Sequence, residues 1–266
     1  MALSGDVASL MRWVDAVELG ARGRAAAART VVADLLRDPR VDAAVKSLSL
    51  STRASLTRQA GRHADAQIDD GAALLVAAQA RTASPWARAA QIDALVGLAA
   101  DSLGIWDFDG SRRLLDRAAA QLWSAQTDYE PQWACDGRLQ LRLAWVRTEL
   151  ALYSGAPAAS LAARAVELAA DAPSIRHRLK TALIATAASN GDTAADDAER
   201  IANDCAAAGL APLEWAARTM LAGLRPDGGE AAARAAELQA VLIDWGMPFV
   251  PVAEPDNRGS VGLIND

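Results

Sequence analysis

The sequence is poor in cysteine and in aromatic residues. Its two cysteines, Cys135 and Cys205, are far apart and form no Cys-x-x-Cys pair, so neither a disulfide framework nor a cysteine metal site is expected. Aromatic residues make up only 5% of the chain, although 52% of it is hydrophobic. The apolar content is therefore carried by Ala, Leu and Val, a composition that favours closely packed helices.

Long apolar runs and positive charge are also scarce. No run approaches the roughly 20 residues that a membrane-spanning helix needs, and residues 1–15 lack the pattern of a secretory signal. Lysine occurs only at Lys46 and Lys180, and the net charge is −6. Since phosphate binding needs a concentrated positive field, we expect no nucleic-acid partner. The lack of a long apolar run and of a signal pattern leads us to expect no membrane partner and a cytoplasmic location.

Motifs of catalysis are missing as well. The sequence has no Gly-x-Ser-x-Gly, no phosphate-binding Gly-x-x-x-x-Gly-Lys and no Gly-x-Gly-x-x-Gly. We therefore expect no enzyme and no cofactor, although a carboxylate pair such as Asp101 and Asp107 stays open. His63 and His177 lack a second His or Cys at ligand spacing, so they are interpreted as turn or surface histidines without a metal.

What the chain does contain is a repeated phrase: a helical run, a glycine or turn, and a second helical run. Markers of the six copies are Gly23, Gly61, Trp106, Gly155, Gly191 and Gly228. The steps between them are 38, 45, 49, 36 and 37 residues, which is the range of helix-hairpin arrays. One hairpin buries too little apolar surface to fold alone, so the copies are expected to stack.

Local signals predict the helices. The expected pairs cover residues 7–22 and 24–37, 51–61 and 64–79, 86–103 and 109–123, 133–153 and 158–170, 174–189 and 193–208, and 212–224 and 230–244. Residues 124–132 are predicted to form an insertion or hinge loop. We expect a single repeat domain over residues 1–246 and an irregular tail over residues 247–266.

These residues resemble the tetratricopeptide-like family of helix-turn-helix repeats. The matching positions are Gly23, Ala28, Val32 and Leu35 with Pro39, then Gly61, Ala66 and Ala73, then Leu103, Gly104, Leu115 and Ala118. Several steps exceed the 34 residues of that family, so the array is similar to degenerate members, of a kind common in actinobacterial regulatory proteins. The resemblance implies an all-α, right-handed α-solenoid of about six antiparallel helix hairpins.

In arrays of this family the first helix of each pair lines a concave groove. A mixed polar and aromatic stripe on the fourth first helix is poor core material, because each buried polar end needs a partner. The second first helix is rich in Ser, Thr and Arg, and we expect much of it to face water or a partner. The candidate groove residues are Arg58, Gln59, Asp93, Arg138, Arg142, Trp145, Glu149, Tyr153, Arg178 and Thr181. The alternative is a solvated face with Trp145 wedged between helices and ordinary surface arginines.

Three hypotheses remain open from the sequence. The first is a non-catalytic interaction or scaffold module that binds a protein or peptide partner, with an acidic segment suiting the arginines. The second is a regulator that senses a peptide or small metabolite. Self-association through exposed end faces is a third option, because terminal repeats expose apolar surface.

Trp106, at a turn where other copies have glycine, is expected to staple the next hairpin or to be an exposed contact.

Overall fold

The computed structural model of the chain describes residues 3–80, 85–123, 133–189, 193–225 and 228–249. Within these ranges the chain is all-helical, as expected, and has no strands. The helices are α1 (Leu3–Ala21), α2 (Ala25–Arg37), α3 (Ala43–Arg58), α4 (His63–Ala77), α5 (Pro85–Gly104), α6 (Phe108–Trp123), α7 (Gly137–Tyr153), α8 (Ala159–Ala170), α9 (Ile175–Ala188), α10 (Ala194–Ala207), α11 (Ala211–Leu224) and α12 (Gly229–Asp244).

Six helices end in the same way, with a residue in the left-handed backbone region. Five of these residues are glycines, namely Gly23, Gly61, Gly155, Gly209 and Gly246, and the sixth is Trp106. The amide of the next residue reaches back to a carbonyl five residues earlier, as Asp107 N does to Ser102 O at 2.8 Å. This bond satisfies carbonyls that would otherwise lack a partner at the helix end.

Helix α3 differs most from its prediction, because it begins at Ala43 rather than near residue 51. The Asp42 side chain caps it by accepting from Ala44 N at 2.8 Å. Of its polar residues expected to face water or a partner, five line the cavity described below: Ser51, Thr52, Ser55, Arg58 and Gln59. Ser47, one turn earlier, is buried and donates to Ala73 O. A buried serine or threonine can form its hydrogen bond with the backbone of a neighbouring helix, so a helix rich in these residues need not be exposed.

The helices divide into two sets by their contacts. Every helix packs on the next one in the chain, and each odd-numbered helix from α1 to α9 also contacts the following odd-numbered helix. Buried alanines such as Ala89, Ala94 and Ala99 of α5 have no exposed surface and keep neighbouring helices close. The odd-numbered helices thus form a continuous inner row, with the even-numbered ones behind them.

The two ends of the array meet. Ala26 N donates to Trp245 O at 2.9 Å, Arg29 Nη1 donates to Gly246 O at 2.6 Å, and the Arg24 guanidinium lies over the Trp245 ring. Leu242 joins an apolar cluster with residues of α2 and α3. We call this set of contacts between α2 and the end of α12 the closure. It turns the inner row into the wall of a cavity.

Part of the predicted tail belongs to the closure. Met247 is buried in the same cluster as Leu242, and the Phe249 ring packs on Trp215. Residues 250–266 and the predicted hinge loop over residues 124–132 lie outside the described residues. Of the helices in the described ranges, none has the length and apolar character needed to cross a membrane.

Candidate ligand-binding cavity

The inner row surrounds a cavity of about 860 Å³. All six odd-numbered helices contribute side chains to its wall, from Trp13 of α1 to Met220 of α11. The volume lies in the range of pockets that hold small molecules, and the wall combines apolar surface with a few charged groups, which is the usual composition of such pockets.

Eight of the ten residues predicted from the sequence lie on this wall. They are Arg58, Gln59, Asp93, Arg138, Arg142, Trp145, Glu149 and Tyr153. The other two are elsewhere. Arg178 is exposed and donates to the carbonyl of Ala172, while Thr181 is buried behind Trp145. Arg178 and Thr181 lie within the same turns of α9 as the wall residues Arg176 and Lys180, but on other faces of the helix. The sequence pattern does not indicate which face of α9 points into the cavity.

Trp145 is held on the wall from several sides. Its side chain is only 5% exposed, and its indole Nε1 donates to Thr181 Oγ1 at 2.8 Å. The His177 ring stacks on it with 5.8 Å between centroids, and Lys180 Nζ lies 4.6 Å from its ring centroid. The indole is thus wedged between α7 and α9, as the alternative interpretation held, and one side of it also faces the cavity.

Asp93 is buried on α5 and pairs with two arginines of α7. Arg138 binds it with both Nη atoms, at 3.0 and 2.5 Å, and Arg142 also bonds to it. Burial disfavours the carboxylate, but the two guanidinium groups outweigh it and lower the pKa of Asp93. Burial lowers the pKa of Arg142 because it disfavours the charged guanidinium; Asp93 opposes this effect and the like charge of Arg138 adds to it. The cluster carries one surplus positive charge.

Arg58 is the centre of a second buried cluster. It bonds to Asp70 of α4 and to Asp101 of α5, with Nε and Oδ1 2.5 Å apart in the latter pair. Both carboxylates are fully buried. Burial, together with the neighbouring Asp101, raises the pKa of Asp70 to about 7. Arg58 is therefore neutralised from behind, and it contributes little net charge to the cavity.

Comparison with protein-family models, with curated proteins and with solved structures finds no match. The function of the cavity has to be inferred from its own chemistry.

Three wall residues of α9 were missed by the sequence interpretation: Arg176, His177 and Lys180. His177 is not a surface histidine. Burial, with Arg176 second, lowers its pKa to about 3, so the imidazole is neutral. A sequence signal for this face existed, since residues 176, 180, 183, 184 and 187 recur at steps of three and four and all line the cavity. The apolar members made the face resemble ordinary core.

Exposed aromatic residues mark the mouth of the cavity. Trp106 is 68% exposed and Tyr153 is 58% exposed, yet both line the cavity. Their rings meet edge to face with 5.8 Å between centroids. Trp106 thus contacts the following inner helix, as a staple would, but most of its surface is open to solvent or to a bound molecule.

The acidic residues, histidine and cysteines considered as a carboxylate pair or as metal ligands have other interactions in the structure. Asp101 is paired with Arg58, whereas Asp107 caps α6 by accepting from Gly110 N at 2.8 Å. His63 lies at the start of α4, and its Nδ1 is 3.9 Å from Asp101 Oδ1. Within the described ranges no cluster of His, Cys, Asp and Glu could hold a metal ion. Both cysteines are buried thiols, and burial raises the pKa of Cys135 to about 11.

Proposed function

We propose that this chain is a non-catalytic, tetratricopeptide-like helical array that senses an effector by enclosing it in the central cavity. The occupant is a short peptide segment or a small metabolite. The observation that carries the proposal is the closure, because it surrounds the predicted groove residues with all six inner helices. A long partner segment needs a groove with open ends, whereas an enclosed wall suits an occupant that fits within about 860 Å³.

The wall chemistry supports binding over catalysis. A general base works best with a pKa near the working pH and within reach of the reactant. His177 is too weakly basic, with its pKa near 3, and Asp70 is fully buried behind Arg58. The remaining carboxylate of a wall cluster, Asp93, is held by two arginines. A carboxylate held in this way orients a ligand and is not free to transfer its protons; Glu149 and His63 are the other carboxylate and the other imidazole on the wall.

The solenoid arrangement of antiparallel hairpins that the family resemblance implies is part of this proposal. In its support, each odd-numbered helix contacts both its even-numbered neighbours and the next odd-numbered helix. An array of stacked hairpins has this pattern of contacts. Because all inner helices touch the cavity, an occupant bridging several of them would stabilise the closed arrangement. Such a change in stability is the signal that a regulator can pass on.

The test is a thermal-shift screen of peptides and metabolites against the wild-type chain and Ala100→Phe. Ala100 lines the cavity, so the added ring would occupy ligand space. We expect some compounds to raise the melting temperature of the wild type by mass action and to lose this effect in the variant. Circular dichroism would confirm that the variant is folded. Equal shifts in both proteins, or none across broad sets, would contradict the proposal.

A further inference from the structure

Two cations on the wall form no direct ion pair. Arg176 and Lys180 take part in no hydrogen bond or ion pair of the described residues, and Lys180 contacts the Trp145 ring. Glu18 acts electrostatically on Arg176 and Glu149 on Lys180, but neither carboxylate lies within ion-pair distance. Burial lowers the pKa of both groups. Removing a cation from water without a partner is costly, so an anion placed between these side chains would recover the lost interactions.

The neighbouring arginines make the same end of the cavity positive. Arg138 and Arg142 share the single carboxylate of Asp93. Both arginines also act electrostatically on His177, which places the first halves of α7 and α9 side by side. Apart from Arg58, which is paired with Asp70 and Asp101 behind the wall, the lining contains the cations Arg138, Arg142, Arg176 and Lys180 and two carboxylates, Asp93 and Glu149. This balance is the reverse of the whole chain, whose net charge is −6.

The wall changes from charged to apolar along the same helices. On α9 the cations are followed on one face by Leu183, Ile184 and Ala187. On α5 Asp93 is followed by Val96, Ala100 and Leu103, and this helix leads to Trp106 at the mouth. A ligand that lies along α5 and α9 would therefore meet positive charge at one end and hydrocarbon beyond it, while Arg58, Gln59 and Glu149 line the wall from the end of α3 and from α7.

We propose that the occupant is an amphipathic anion, with a carboxylate or phosphate group bound by Arg142, Arg176 and Lys180 and an apolar body lying along α5 and α9. This inference rests on the proposed function and specifies its ligand class. Guanidinium and ammonium groups bind such oxygens through charge-assisted hydrogen bonds, and the apolar body gains from burial.

Titration calorimetry tests the charge preference with four probes whose unbranched alkyl tails have about seven or eight carbons: octanoate, octyl phosphate, octanol and octyltrimethylammonium. We expect octanoate or octyl phosphate to bind at least about tenfold more tightly than the other two, as expected for hydrogen bonds to charged groups. The two anions separate a carboxylate site from a phosphate site. Acetate and inorganic phosphate, which lack the tail, should bind much more weakly than either.

Variants of α9 test the location. Arg176→Gln and Lys180→Met should each weaken binding of the preferred anion by about tenfold to hundredfold, and Lys180→Arg should retain most of it. Arg178→Gln is the matched control, because Arg178 lies on the same helix but outside the cavity wall. It should leave the affinity unchanged. Circular dichroism of each variant separates loss of binding from loss of fold.

The two proposals fail in different ways. If the cationic or neutral probe binds as tightly as the anions, and Ala100→Phe abolishes that binding, the cavity is a ligand site but the anion subsite is wrong. The subsite is also wrong if Arg178→Gln weakens binding as much as Arg176→Gln does. If no probe binds, the amphipathic-anion inference fails. Whether the cavity binds any ligand is then decided by the thermal-shift screen of wild type and Ala100→Phe.

Discussion

Trp106 adopts the left-handed backbone conformation, with φ at 67°. At the other five helix ends of this kind in the described ranges, the residue with this conformation is glycine. The left-handed region costs a residue with a side chain about 1–2 kcal/mol, and strain of this kind is found at functional sites. The ring recovers part of this cost through edge contacts with Phe108 and Tyr153. It is exposed at the cavity mouth, so its burial contributes little.

Replacing Trp106 separates the staple from the ligand contact. In Trp106→Gly the relieved strain and the lost ring contacts should nearly cancel, so the free energy of unfolding should change by about 1 kcal/mol or less. The affinity for the preferred anionic probe should fall, because the mouth loses its largest side chain. Urea denaturation and calorimetry measure the two quantities. A destabilisation above about 2 kcal/mol would identify Trp106 as a structural staple.

Asp70 should give the stability a definite pH dependence. An unfolded aspartate has a pKa near 4, while burial raises the folded pKa of Asp70 to about 7. The folded state holds this proton more tightly, so the contribution of Asp70 to stability is fully present below about pH 4 and is lost as the pH rises to about 7. Arg58 keeps Asp101 as a partner when Asp70 is replaced.

The variant Asp70→Asn removes this ionisation. Relative to the wild type, its free energy of unfolding should therefore be clearly higher, meaning a more stable fold, at about pH 8 than at about pH 4.5. Urea denaturation at both values measures the difference. Asp65→Asn is the control, since Asp65 is an exposed residue of the same helix. A difference between Asp70→Asn and wild type that stays constant with pH would show that Asp70 is ionised throughout this range in the folded protein.

Among the helices, local signals explain what could be predicted. Helix α2 ends at Arg37 before Asp38-Pro39, and α8 ends at Ala170 before Pro173, as the proline signals indicated. The predicted start of α3 was wrong because the capping role of Asp42 was overlooked. Caps and prolines act within a few residues, whereas the orientation of a polar face depends on helices far away in sequence.

The cap of α3 gives a prediction with a built-in control. Asp42→Ala removes the side-chain acceptor of Ala44 N and should cost about 1 kcal/mol of stability. Ser174 occupies the same position at α9 but makes no side-chain cap bond, so Ser174→Ala should cost much less. Chemical denaturation of both variants provides the comparison. Equal costs would mean that the bond to Ala44 N contributes nothing measurable.

At the scale of the whole molecule, the repeat pattern of the sequence does not predict the closure between α2 and the end of α12. Periodicity predicts that neighbouring copies stack, and the candidate residues at positions 58–153 indeed share one wall. It does not predict where the last copy ends up, because that depends on the summed rotation of all the copies. The apolar end faces that suggested self-association, including Ala25, Ala28 and Leu242, are buried against each other in one chain. The groove of the sequence interpretation is consequently a cavity.

Gly23 tests whether the closure stabilises the molecule. A Cβ at Gly23, where φ is 85°, would lie 2.4 Å from Leu242 Cδ2, while at Gly155, where φ is 71°, nothing lies within 4 Å. Both changes to alanine cost about 1–2 kcal/mol for the left-handed backbone, but only Gly23→Ala also displaces α12 from α2. It should therefore be the more destabilising, with faster amide exchange in α2 and α12. Equal destabilisation and unchanged exchange would mean that the two ends associate too weakly to hold the cavity closed, and a ligand would then have to do so.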